Sequence, residues 1–184
     1  MTTAMVTLRP LDAVADLTLL HGWMQEPHVS PWWNLAGPPE RTAAYLAGAA
    51  ALAHQRSWVG AVGDEPFAYV ETYTVSDDPL AAHYDAQPGD RGWHILVGPA
   101  SQLGTGAARA LARLVVDRLL DEPGATRVLC EPDARNARML AFCAAVGGER
   151  IATLTLPDKT AALIAWTPGD LAQRARSPRP GAVG

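Results

Sequence analysis

Lysine is almost absent: of fifteen lysines and arginines, Lys159 alone is lysine. Beside abundant alanine, glycine and proline, this reads as the codon bias of a GC-rich genome. Cysteine is scarce too, with Cys130 and Cys143 both in apolar segments. Two thiols exclude an extracellular disulfide scaffold and suit a reducing cytosol, so a cytoplasmic protein is expected. No apolar run approaches the ~20 residues of a membrane span. Residues 1–10 show no apolar stretch behind basic residues, so no secretory leader is expected. The five histidines are too scattered for metal-ligand spacing, and no metal is expected. Positive charge is not in excess, with a net charge of −4 and a pI near 5.7. Nucleic acid, held by clusters of Lys and Arg that release counterions, is therefore not the expected partner. A small cationic amine meets no repulsion from such a field.

What is present suffices for a core: 48% of the 184 residues are hydrophobic and 18% charged. The length fits one domain, expected over 1–168, with 169–184 as a Pro/Arg/Gly-rich tail. Alternation predicts a first strand over Val6–Pro10. Asp12 is expected to cap a helix running through Leu20. A proline-broken aromatic loop follows, carrying His28, Trp32 and Trp33, then a second helix opened by Pro39. Strands over 58–62 and 67–75 form a hairpin, 76–91 reads as a polar loop, and 92–97 is the fourth strand. After a glycine turn, Leu111, Leu114, Val115 and Leu119 share one face of a helix ending near Leu120. Strand 126–131, helix 136–146 and a strand pair over 151–156 and 161–166 complete the chain. This order predicts an α/β fold, a mixed sheet of about seven strands with helices on both faces.

The turn between the fourth strand and its helix carries chemistry. Gln102-Leu103-Gly104-Thr105-Gly106-Ala107 places glycines where a helix begins, and unpaired amides at a helix N-terminus make an anion site. No Gly-Lys-Ser/Thr follows, which excludes a Walker loop. A third glycine in register and a later acidic residue are missing, which excludes a dinucleotide fingerprint. Taken alone, the two glycines could merely shape the turn.

This segment resembles the coenzyme A pyrophosphate loop of GNAT acyltransferases, and Asn136 resembles that family's cofactor-contacting asparagine. The resemblance spans roughly Thr7 to Trp166. It implies that the fourth strand splays from the fifth and that the pantetheine arm of acyl-CoA lies between them, paired with the main chain of Leu96 and Val97. Further blocks resemble acyltransferases of siderophore biosynthesis, among them Leu20-His21-Gly22-Trp23-Met24, Pro88-Gly89-Asp90-Arg91-Gly92-Trp93-His94 and Glu131-Pro132-Asp133-Ala134-Arg135-Asn136. They imply transfer of an acetyl- or succinyl-type group to a small amine or hydroxylamine by direct attack on the thioester. Similarity to aminoglycoside 6′-N-acetyltransferases is weaker, clearest at 100–104 and Trp32-Trp33. A non-catalytic acyl-CoA-binding module is the third reading, and monomer and homodimer both stay open.

Such a reaction needs one group to take a proton and one to polarise the carbonyl. His94 is the expected base, since imidazole titrates near neutrality; the alternative is a core histidine. Asp133 is expected beside the acceptor nitrogen, with helix capping as its alternative. His28, Trp32, Trp33, Glu71 and Tyr73 are the expected acceptor-pocket residues. Many GNATs carry a tyrosine seven residues after the asparagine as general acid. Cys143 stands there, so no general acid is assigned.

Overall fold

The computed structural model describes residues 5–169. The expected tail lies, from residue 170 on, outside the described residues. Seven strands form one sheet in the order β1-β2-β3-β4-β5-β7-β6. They are β1 (Val6–Pro10), β2 (Gln55–Val62), β3 (Glu65–Thr74), β4 (Asp90–Val97), β5 (Arg127–Cys130), β6 (Glu149–Thr155) and β7 (Thr160–Trp166). Neighbours run antiparallel except β4 and β5, which run parallel. The expected mixed sheet is therefore present.

On one face lie α1 (Leu17–Met24), the short α2 (Ser30–Trp33) and α3 (Pro39–Ala51), whose Leu20, Met24 and Leu46 pack on Val59, Tyr69 and Leu96. On the other lie α4 (Ala107–Leu120) and α5 (Ala137–Ala145), packed on Val70, Trp93 and Val128. Leu111, Val115 and Leu119 fall four residues apart and are buried, while Leu114 turns outward at 40% exposure. Burying each such side chain is worth about 1.5–3 kcal/mol, which anchors α4 and the turn before it. Among the described residues no helix is long and apolar enough to cross a membrane.

The first helix departs from expectation. Asp12 accepts hydrogen bonds from the Val14 and Ala15 amides, forming a turn rather than a cap, and α1 starts only at Leu17. The cause is Asp16, gripped by Arg9 through two bonds of 2.8 and 2.7 Å and receiving the Asp12 amide as well. The helix then continues through Trp23 and Met24, which expectation had placed in a loop.

Two features position the site. The β4–β5 pairing is confined to Asp90–Gly92 against Arg127–Leu129, so beyond Gly92 the β5-facing edge of β4 is open. Buried Asp90 fastens the paired end, accepting from Arg127 at 2.7 and 2.8 Å and from the Tyr84 hydroxyl at 2.6 Å. Gly92 stands opposite Tyr73, where a Cβ would come within 2.1 Å of the Tyr73 ring. Only glycine there lets that ring cross β4 toward the end of β5.

Candidate active site

The antiparallel register of β3 and β4 sets Glu71 directly opposite His94. His94 Nδ1 lies 3.1 Å from Glu71 Oε2, and His94 Nε2 lies 2.6 Å from Glu131 Oε1, just past the end of β5. Both carboxylates are buried, whereas 34% of the His94 side chain stays exposed. Behind them the hydroxyls of Tyr45 and Tyr69 donate to Glu71 Oε1 at 2.6 and 2.8 Å, and Tyr73 donates to Glu131 Oε2 at 3.0 Å. Lys159 Nζ lies 3.8 Å from Glu131 Oε1.

Burial by itself pushes the imidazole toward its neutral form. The charge and hydrogen bond of Glu131, then those of Glu71, overcome it and hold the His94 pKa up at about 10. Burial would likewise raise Glu131, but His94, Lys159 and Tyr73 hold its pKa down at about 2. Glu71 is lowered, its burial outweighed by His94 and the two tyrosines. These shifts favour an imidazolium at neutral pH, with both N–H groups donated to carboxylates. The neutral base expected from the sequence is not the form this surrounding favours.

The signs fix a stability profile. His94 titrates higher when folded than its ordinary 6.5, so its contribution is complete below that pH and is lost as pH rises through about 10. Glu131 titrates lower than its ordinary 4.5, so its contribution is present above that pH and is lost as pH falls through about 2. Thermal unfolding across pH 4–10 is expected to show a melting temperature declining from pH 6.5 upward. The decline should be shallower in His94→Gln, and an equal slope in that variant would show that another group causes it.

The structure divides the remaining expected residues. Trp33 turns its ring edge-on to Tyr45, Tyr69 and His94, with its centroid 6.4 Å from the imidazole, while Trp32 is 42% exposed. Both sit on α2 rather than in a loop. Glu71 and Tyr73 stand behind His94 with their polar atoms engaged, Glu71 by Tyr45, Tyr69 and His94 and Tyr73 by Glu131. His28 Nε2 donates to the Val97 carbonyl at 2.9 Å, bracing β4. Asp133 is not brought to His94. Its carboxylate holds Arg135 at 2.7 and 3.0 Å, which draws its pKa down to about 2.

Asn136 caps α5, accepting from the Met139 amide at 3.0 Å. Gly98 donates to Phe67 at 2.8 Å, so by antiparallel alternation the main chain of Leu96 is bonded to β3 and that of Val97 turns to the open edge, where His28 takes its carbonyl and leaves its amide. Expectation had assigned both to the pantetheine. Cys143 is buried, its sulfur 3.7 Å from Cys130 Sγ, and offers no acid to the site.

At the far end of β4, Gly104 and Gly106 adopt φ of 78° and 94° and face open space. Gly106 caps α4. Thr105 Oγ1 folds back to the Gln102 carbonyl and takes the Ala107 amide. The amides of Gly104, Thr105, Gly106 and Ala108 have no backbone acceptor among the described residues. An open strand edge thus leads from His94 to a nest of unpaired amides at a helix N-terminus, a geometry suited to a long ligand ending in phosphate.

A family model described as "Acetyltransferase (GNAT) domain" matches residues 12–156. The chain belongs to the GNAT acetyltransferase family. This GNAT protein is an N-acyltransferase. The N-hydroxyputrescine acetyltransferase of Acinetobacter baumannii is 32% identical over 156 residues, 85% of this chain and 74% of that protein. The N(6)-hydroxylysine O-acetyltransferase of Escherichia coli is 30% identical over 161 residues, 87% of this chain. The chain spans 51%, about half, of that protein's length. Among solved structures, the aminoglycoside acetyltransferase AAC(6')-Ib in complex with coenzyme A superposes with a TM-score of 0.82 at 29% identity, covering 94% of this chain and 100% of that one.

Sequence reasoning missed Glu131, Tyr45, Tyr69 and Lys159 in this GNAT site. Glu131 was the nearest to hand, since it ends the fifth strand, where α/β sheets gather ligands. The distance that decides between it and Asp133 exists only in three dimensions.

Proposed function

We propose that this GNAT enzyme transfers an acetyl- or succinyl-type group from acyl-CoA to an N-hydroxylated amine in hydroxamate siderophore assembly. The His94 imidazolium held between Glu71 and Glu131 carries the reading. An alkylamine is an ammonium near neutral pH, with a pKa close to the ~10.4 of lysine, and must lose a proton before it attacks. A site whose imidazole is already protonated is poorly furnished to take that proton. An alkylhydroxylamine is far less basic and arrives uncharged. Glu71, Glu131, His94 and Lys159 also sum to zero charge, leaving no net attraction for a polycation.

In this reading the amides of 104–108 hold the pyrophosphate of acyl-CoA, Gln102 and Leu103 flank it, and the open edge at Val97 receives the pantetheine. Trp33 and Trp32 border the acceptor, and Asp133 with Asn136 shapes the turn into α5. The nitrogen lone pair forms the C–N bond, the C–S bond breaks, and the nitrogen's proton leaves with the coenzyme A thiolate or through water. With its N–H groups engaged by Glu71 and Glu131, the exposed third of the His94 ring acts on the developing oxyanion through charge alone.

The aminoglycoside reading draws on the likeness to AAC(6')-Ib. Initial rates at pH 7 with N-hydroxylysine, N-hydroxycadaverine, their unhydroxylated parents and kanamycin separate the two. Hydroxylamines are expected to exceed the other acceptors by about 100-fold in kcat/KM, an advantage of nearly 3 kcal/mol at ~1.4 kcal/mol per decade. Kanamycin turnover equal to theirs would replace this reading with the aminoglycoside one.

A further inference from the structure

On the opposite side of the sheet from His94, a cleft of about 270 Å³ opens between the C-terminal end of α4 and strands β2, β3 and β4. Three guanidinium side chains line it: Arg56, Arg91 and Arg118. Arg118 lies 4.4 Å over the Trp58 ring, which holds its planar head in place while leaving its N–H groups free of ion pairs among the described residues. Arg56 forms no hydrogen bond or ion pair among them either. The only acidic lining residue, Glu122, is paired with Arg91 Nε at 2.8 Å and half-exposed. At the inner wall the Trp58 indole donates to Thr72 Oγ1 at 2.9 Å, leaving that hydroxyl's own proton to donate. His54 Nε2 is buried without a hydrogen bond, 3.5 Å from Asp78.

We propose that this cleft is a second binding site, for a small oxyanion carrying at least two negative charges, either a phosphate monoester or a di- or tricarboxylate. Guanidinium forks match both groups in shape and charge. Arg91 is spent on Glu122 and on the Asp90 and Pro123 carbonyls, which leaves Arg56 and Arg118 as two uncompensated cations that outweigh the weakly negative helix end beside them. The volume equals about nine waters at ~30 Å³ each, room for a metabolite of a few carbons beyond its anionic head. The site is not part of the acyl-CoA path: α4 separates it from the glycine turn by about 21 Å, at 1.5 Å per residue. Strand β3 connects the two regions, since Thr72 and Thr74 face the cleft while Tyr73 between them donates to Glu131 on the other side.

The test is calorimetric titration of the full chain, saturated with coenzyme A and at low ionic strength, using inorganic phosphate, glycerol phosphate and citrate. One-to-one binding is expected for at least one probe, and the tighter class identifies the source. Arg56→Gln and Arg118→Gln should each weaken it about tenfold, the size of one charge-assisted hydrogen bond. Arg150→Gln, on the distant β6, should leave it unchanged. The Trp58 indole N–H resonance, assigned by its loss in Trp58→Phe, should shift on binding. Absence of saturable binding by all three probes, or equal affinity in Arg56→Gln and the unaltered chain, would overturn the proposal.

Discussion

Gly104→Asp is expected to weaken coenzyme A binding about 100-fold or more, the largest single effect the structure implies outside the His94 cluster. Two costs combine. At φ of 78° an L side chain strains the backbone, by roughly 1–2 kcal/mol. The new carboxylate also enters a nest of amides whose proposed occupant, the pyrophosphate, is itself an anion, adding repulsion of similar size in a partly desolvated place. Because a Cβ at 104 meets nothing within 4 Å, the variant should fold. Gly104→Ala separates the costs, since it keeps the strain without the charge and should lose about tenfold. Calorimetry with coenzyme A measures both. If the two substitutions weaken binding equally, the repulsion, and with it the location of the pyrophosphate, is wrong.

The second large effect is expected at Glu131. Glu131→Gln keeps the shape of the side chain but removes the charge that chiefly holds His94 protonated, so the His94 pKa should fall toward its ordinary value. If the imidazolium stabilises the oxyanion, kcat/KM at pH 8 should drop about 100-fold, within the range reported for loss of one preorganised electrostatic contact. The pH profile carries the sharper signature. In the unaltered enzyme activity should persist to about pH 10 and then decline as His94 loses its proton; in Glu131→Gln that decline should move to lower pH. A general base at His94 would reverse the sign, with activity rising through its pKa. A purely structural role for Glu131 would lower the rate without moving the profile.

The elements proposed to carry the cofactor were legible in the sequence because their signals are local. Gly104 and Gly106 stand between a strand pattern and a helix pattern, and the helical spacing of Leu111, Leu114, Val115 and Leu119 announces α4 without reference to the rest of the chain, although Leu114 itself faces outward. The His94 cluster was half legible. His94 and Glu71 each drew notice, but their union depends on a register between β3 and β4 that no short-range pattern encodes, so their hydrogen bond was not foreseen. The same gap explains Tyr73, whose inward path across β4 depends on Gly92, and Asp133, which lies two residues from the carboxylate that does reach His94. Tyr45 comes from a helix on the far side of the aromatic loop and had no sequence signal. The start of α1 was misplaced because Asp12 looked like a cap, while the ion pair of Arg9 with Asp16 decides where that helix begins.

The protonation state of the His94 imidazole decides its role, and nuclear magnetic resonance titration of His94, assigned by its loss in His94→Gln, reads it directly. The predicted result is a single imidazolium signature from pH 6 to 9, with loss of the proton only near pH 10. A midpoint near 6.5 would contradict it, returning His94 to the role of neutral base and removing the argument for an acceptor that arrives uncharged.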